Sequence, residues 1–275
     1  MVLKILEVVG KVLLLLFLSM ILMLGFGILF SFVFQNPKMD LYLQTITLIL
    51  VTLLMYVLFE RKRGWSLGLK QKDGILQFWK GCGLGIILIS AVFLLILLTG
   101  NLQVLQVEWS ISWVHSLRQT LILFIFVALS EEILARGYLQ GLIRYRFSTK
   151  AAWMTTSIFF ALLHGSNPGV WNELLPMMNL FLAGLFFAIY RDHTGGLWAP
   201  IGFHLTWNLF QGAIFGFAVS GIGIHSLLEI ESSSYEYLSG GEFGAEGSIF
   251  ATIVLLVPIV MMVYKKKGVT EMKGS

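Results

Sequence analysis

Residues 121–143 read Leu-Ile-Leu-Phe-Ile-Phe-Val-Ala-Leu-Ser-Glu-Glu-Ile-Leu-Ala-Arg-Gly-Tyr-Leu-Gln-Gly-Leu-Ile, an apolar run interrupted by Glu131, Glu132 and Arg136. At 1.5 Å of rise per residue a helix of this length covers about 35 Å, enough to cross a hydrocarbon layer of about 30 Å. Ionisable groups are costly in such a segment and point to function by default. The pattern recurs downstream: His164 closes one apolar stretch, and His204 and Asn208 lie within another. Two carboxylates, an arginine, two imidazoles and an amide are the parts that activate water and steady an oxyanion. These residue types point to an enzyme that works inside the bilayer.

Bulk composition supports the membrane reading. The 275 residues are 57% hydrophobic and 12% charged, with a mean hydropathy of +0.84, which is too apolar for a soluble globular domain. A single integral membrane domain over 1–275 is the natural organisation. The formal charge of +4 would suggest nucleic acid in a soluble protein. Here the basic residues sit in short links between apolar runs, where they set orientation instead. The lone Cys82, between glycines, offers neither a disulfide nor a cysteine metal cluster and reads as packing.

The apolar runs predict an all-α polytopic bundle of about eight helices, over 8–34, 41–59, 78–99, 119–143, 151–164, 174–190, 197–219 and 247–264. Lys4 and Lys11 before the first run resemble the start of a secretory signal, but that run is too long for a signal core and is expected to remain as a helix. The fifth and sixth runs are short for a bilayer and flank Gly-Ser-Asn-Pro-Gly at 165–169, so broken or partly buried helices are expected there. With eight crossings, Arg61 to Arg63, Lys70, Lys72, Arg144, Arg146, Lys150, Arg191 and Lys265 to Lys267 fall on the same side as Lys4 and Lys11. That side, with both termini, is expected to be cytoplasmic. The segment 221–247, with Glu229, Glu231, Glu236, Glu242 and Glu246, falls on the other. The closing residues 270–275 read as a frayed tail.

Three constellations carry the chemistry. Glu132 and Arg136 are four residues apart, so a helix puts them on one face and suits them to an ion pair. Glu131 is turned roughly 100° from Glu132 and remains available as a general base. His204 and Asn208 share a face in the same way, with Trp207 beside them. From the basic side, Glu131 lies about 18 Å deep, His164 about 20 Å, His204 about 10 Å and Asn208 about 17 Å. All four fit one buried cavity, expected to be reached from the cytoplasmic half.

Each residue alone has a plainer explanation. Glu131 and Glu132 could both pair with Arg136 and tie the bundle together, a lone intramembrane histidine serves equally as an interhelical hydrogen-bond partner, and Asn208 could be packing glue. His115, His193 and His225 lie in or beside links and suggest no role. Gly81 with Gly85, and Gly212 with Gly216, have spacing that permits close helix contact. Gly195, Gly196 and Pro200 read as a tight turn into the seventh helix that sets the depth of His204.

Taken together, the three constellations resemble the CPBP family: the CAAX proteases, including the type II CAAX prenyl endopeptidases, and the bacteriocin-processing or immunity proteins. Glu131, Glu132 and Arg136 meet Glu-Glu-x-x-x-Arg; Phe160 and His164 meet Phe-x-x-x-His; His204 and Asn208 meet His-x-x-x-Asn, led in by Gly-Gly-Leu-Trp-x-Pro-Ile at 195–201. The resemblance covers residues 119–217, a catalytic core within the larger chain. It implies an intramembrane glutamate endopeptidase in which Glu131 and His164 activate water, His204 and Asn208 form the oxyanion hole, and Glu132, Arg136 and Phe160 support them. The implied partner is a membrane-associated peptide or lipidated, CAAX-type protein, met among membrane lipid and without a cofactor. Two alternatives stay open: a zinc-dependent peptidase using the same residues, and a non-proteolytic immunity or scaffold protein that uses the cavity for binding. A transporter is disfavoured by the single compact polar cluster and the lack of a paired inverted repeat.

Overall fold

The structure is a computed structural model that describes the backbone of residues 1–31 and 37–272, and side-chain surroundings over 1–28 and 40–264. Its helices are α1 (Val2–Ser31), α2 (Pro37–Phe59), α3 (Gly74–Leu98), α4 (Ile111–Glu131), α5 (Gln140–Arg146), α6 (Thr149–Leu163), α7 (Leu174–Thr194), α8 (Trp198–Leu209), the single turn α9 (Glu236–Ser239) and α10 (Ile249–Met272). Among the described residues, four segments are long and apolar enough to cross a membrane: Val2–Ile28, Asp40–Phe59, Gly74–Leu98 and Leu174–Thr194. The molecule is a helical membrane bundle. Exposed apolar residues along α1 and α2, such as Phe17, Leu24, Leu54 and Leu58, are the surface that lipid solvates.

Several boundaries move from the sequence expectation. The rod containing Glu131 starts at Ile111 and not at 119, because Ser110 caps it by accepting a hydrogen bond from the Trp113 amide, while Arg118 hides the start by interrupting the apolar run. Between α4 and α5 the rod widens into a π-helix over Glu132–Leu139, and α8 ends in another over Phe210–Ile214. The chain is also not purely helical. Strands β1 (Leu102–Val107) and β2 (Leu228–Ser232) pair antiparallel, with an irregularity between Val104 and Gln106. Leu-Glu-Ile-Glu-Ser at 228–232 alternates with the period of two that marks a strand, a signal masked by its setting in an acidic link. Thr270 to Met272 continue α10 where a frayed tail is expected; residues 273–275, like the expected end of the first helix at 32–34, lie outside the described residues.

Glycine sets the closest helix contact. A Cβ on Gly81 would stand 2.1 Å from the Ala199 carbonyl oxygen, and one on Gly85 would stand 2.4 Å from Thr206 Oγ1. Thr206 Oγ1 donates to the Cys82 carbonyl at 3.0 Å, so α3 and α8 pack backbone against backbone as the Gly81 and Gly85 spacing allows. Buried Cys82 packs into that seam. Gly212 and Gly216 serve differently: Gly212 abuts Val219, and Gly216 takes φ +84° against the Leu228 carbonyl, so this pair shapes the exit from α8 and makes no helix crossing.

Two ends of the bundle are distinguished by their contacts. At one, Lys11 pairs with Glu60, Arg146 with Glu7, and Arg144 with Asp192, while Gln71 donates to the Thr194 carbonyl at 2.7 Å. The start of α1 and the links after α2, α5 and α7 therefore meet there, bringing the basic residues together. At the other, β1 and β2 pair, Asn167 donates to the Ser220 carbonyl at 3.0 Å, and Glu108 meets His225 at 2.8 Å.

Candidate active site

Glu131 is the last residue of α4 and Glu132 opens the π-helix. The wider turn of a π-helix changes the angle between successive side chains, and such turns recur at functional sites. Here the two glutamates separate into different surroundings. Glu132 is fully buried, and its Oε1 lies 3.1 Å from Arg136 Nη1 and 3.1 Å from His204 Nδ1. A carboxylate oxygen only accepts, so Arg136 and the His204 ring both donate to it. Arg136, also fully buried, donates through Nη2 to the Gly184 carbonyl at 3.2 Å. Its guanidinium lies 4.2 Å from the Phe160 ring centre and 4.8 Å from that of Phe187, within reach of cation–π attraction.

Glu131 faces the other way. Its Oε2 lies 3.8 Å from His164 Nε2 and 4.0 Å from His204 Nε2, beyond hydrogen-bond range. That oxygen is buried without a hydrogen-bond partner among the described residues. His164 caps the C-terminus of α6, and its Nδ1 lies 2.9 Å from the Phe160 carbonyl oxygen. Because a carbonyl can only accept, Nδ1 carries a hydrogen, and Nε2 is the ring nitrogen turned towards Glu131. His204 is aimed by the Glu132 bond and by stacking on Phe187, with ring centres 5.2 Å apart.

Glu131, His164, His204 and Asn208 line one cavity of about 410 Å³. Phe160 shares its wall, while Glu132 and Arg136 lie behind it. The turn expected before His204 is present: Gly195 takes φ +79° at the end of α7, and the Leu197 amide donates to the Gly68 carbonyl at 3.0 Å. Phe187 and Gly184 were not singled out from sequence. Neither carries a chemical label in an apolar helix, although the spacing of Gly184 from Ala188 hints at a close contact, and a Cβ on Gly184 would stand 2.8 Å from the Ser157 Cα.

The expected entrance is corrected. The cavity wall draws on the early turns of α2 and α4 (Tyr42, Gln119), on Asn167 beyond α6, and on Ser220 and His225, all towards the end with the sheet. None of the lining residues comes from the basic links at 60–73, 144–150 or 191–197, and residues 132–143 on that side of Glu131 are all buried. Depth counted along separate helices places residues at a level but cannot tell on which side of that level side chains fill the space. Among the described residues no group of three or more His, Cys, Asp and Glu side chains is arranged to hold a metal ion.

An uncharacterized 24.3 kDa protein of Escherichia coli is 33% identical over 88 residues, which is 31% of this chain and 38% of that protein. The chain thus matches well under half the length of this curated relative. Residues 112–210, which carry all three motifs, match the family described as type II CAAX prenyl endopeptidase Rce1-like, in agreement with the resemblance the motifs carry.

Proposed function

We propose that the protein is a multi-pass intramembrane endopeptidase that hydrolyses a peptide bond of a membrane-associated protein or peptide, with Glu131 as the base. The observation that supports it most is the buried, unpartnered Glu131 Oε2 held 3.8 Å and 4.0 Å from two imidazole nitrogens. A gap of this size suits a bridging water. Such a water donates one hydrogen to Glu131 and another to the His164 Nε2 lone pair, which aims its oxygen at the scissile carbonyl.

Attack forms the carbon–oxygen bond while Glu131 takes the proton. The carbonyl oxygen becomes an oxyanion, stabilised by His204 Nε2 and the Asn208 amide. Since His204 Nδ1 already donates to Glu132, donation by Nε2 as well requires the ring to carry both protons. Collapse breaks the carbon–nitrogen bond, Glu131 returns its proton to the leaving amine, and an amine and a carboxylic acid result, the acid keeping the water's second proton until it ionises to solvent. Arg136 balances Glu132, which in turn orients His204. The matched family suggests a CAAX-type protease; this chain's own residues supply the reaction but name no lipid on the substrate.

Glu131→Gln removes the base while keeping the shape. Turnover of a membrane-delivered peptide should vanish in a protein that still inserts and unfolds like the parent. Activity should survive removal of divalent metal, whereas stoichiometric zinc bound through His164 and His204, with activity lost on stripping and restored on return, would establish the metallopeptidase instead. A cellular phenotype that persists in full in Glu131→Ala at normal protein level would establish binding, as in an immunity or scaffold protein.

A further inference from the structure

We propose that the cavity takes its substrate from the end of the bundle opposite the basic links, so that the substrate is a membrane-anchored peptide segment exposed on the extracytoplasmic face. The substrate in this statement rests on the peptidase reading; the side of entry rests on geometry and charge placement alone.

The floor beneath the site is solid. Towards the basic end, residues 132–143, 186–191 and 199–203 are buried without interruption, with Tyr138, Leu142 and Phe186 at 0% exposure and Leu139 at 2%. Interiors packed in this way hold few voids larger than a water molecule, so a peptide has no route through them. The opposite rim is open: Gln44, Gln119, Ile222 and His225 line the same cavity and are exposed. The rim is also built and not frayed. Ser220, at φ 48°, donates from its amide at 3.0 Å and its hydroxyl at 2.8 Å to Glu246 Oε2. Glu108 meets His225 at 2.8 Å, and Asn167 donates to the Ser220 carbonyl. These bonds hold the turn 219–225 beside the mouth.

Charge placement then orients the molecule. Basic residues concentrate at the floor end, as Lys11, Arg63, Arg144, Arg146 and Arg191 do in their ion pairs, and such links stay cytoplasmic. The mouth therefore faces outward. A lipidated C-terminus held at the cytoplasmic leaflet would meet the packed floor, whereas the juxtamembrane segment of an exported, membrane-held peptide could reach Glu131.

Sidedness can be read without catalysis. Glu131→Cys and Leu123→Cys, each in a Cys82→Ala background, place thiols on the cavity wall at two levels, and Lys62→Cys marks the basic end. A charged, membrane-impermeant methanethiosulfonate is applied to intact cells expressing the full chain and to inside-out vesicles. Both cavity thiols should react in intact cells and fail to react over the same exposure in inverted vesicles, with the Lys62→Cys thiol showing the reverse. Should Glu131→Cys not insert, Leu123→Cys decides alone. Reaction of the cavity thiols from the face that reaches Lys62→Cys, from both faces, or from neither overturns the proposal. Turnover in Glu131→Gln is a separate readout, so failure of the sidedness and failure of the peptidase reading are told apart.

Discussion

Arg136→Ala tests whether the site is held together by a buried ion pair. Arg136 and Glu132 are both at 0% exposure, their Nη1 and Oε1 are 3.1 Å apart, and the guanidinium also meets the Gly184 carbonyl, Phe160 and Phe187. Removing the arginine leaves a buried carboxylate with only the His204 ring bonded to it. Breaking a buried pair from one side costs about 3–5 kcal/mol, and a desolvated cation–π contact contributes up to about 2 kcal/mol more. Against this, a helix unfolded within the membrane still finds polar partners, which reduces interhelical hydrogen bonds to about 0.6 kcal/mol on average. The low end, about 3 kcal/mol, is therefore the expected loss, more than a hundredfold in the folding equilibrium at about 1.4 kcal/mol per tenfold. Unfolding in mixed micelles titrated with a denaturing detergent measures it. The double variant Glu132→Gln with Arg136→Met removes both charges and should recover most of the stability, though not the activity. An Arg136→Ala protein within about 1 kcal/mol of the parent would show the pair behaving as a solvated one, and the account of how His204 is aimed would fall with it.

His204→Ala and Asn208→Ala should each lower turnover by about 10²–10³ if each supplies one donor to the oxyanion, with unfolding midpoints close to the parent's for Asn208→Ala; unchanged kcat in either would remove that residue from the hole. Gly81→Ala should destabilise the protein and impair turnover, since the added Cβ meets the Ala199 carbonyl at 2.1 Å and pushes α8, which carries His204, away from α3; Gly83→Ala, with nothing within 4 Å of its Cβ, is the silent control in the same thermal assay. At the mouth, hydrogen bonds from the His225 ring and then from Ser110 hold the Glu108 carboxyl below its ordinary value of 4.5. A depressed folded-state pKa contributes stability that is present above the unfolded value and lost as pH falls through the lower folded one. An acid titration followed by tryptophan fluorescence at Trp109 and Trp113 should therefore show a transition below 4.5 that moves up towards it in His225→Ala; no movement would mean that the pair does not form in solution.

Sequence pattern alone made much of the site legible because its signals are local. An acid or imidazole in an apolar run stands out wherever the run folds, and the spacing of Glu132 from Arg136 announces the pair that forms at 3.1 Å. The Gly81 and Gly85 spacing permitted a close helix contact, and the structure supplies the partner, α8. Phe187 was illegible because an aromatic residue in an apolar helix looks the same whether it fills space or stacks on a histidine 5.2 Å away. The π-helix at Glu132–Leu139 was illegible too, since its apolar content fits an ordinary helix equally well.

By itself, then, the sequence determined that this chain is an apolar helical bundle, which ionisable and amide side chains interrupt its apolar segments, and where along each helix they lie. These follow from composition, from periodicity and from the cost of a charge in hydrocarbon, all properties of one segment at a time. Only the tertiary structure decided that Glu132 bridges Arg136 and His204, that Glu131 Oε2 is left unpartnered between two imidazoles, and that the cavity opens away from the basic links. Those depend on which helices lie side by side and on which half of the bundle the large side chains fill, and packing between segments far apart in the chain has no signature in any one of them.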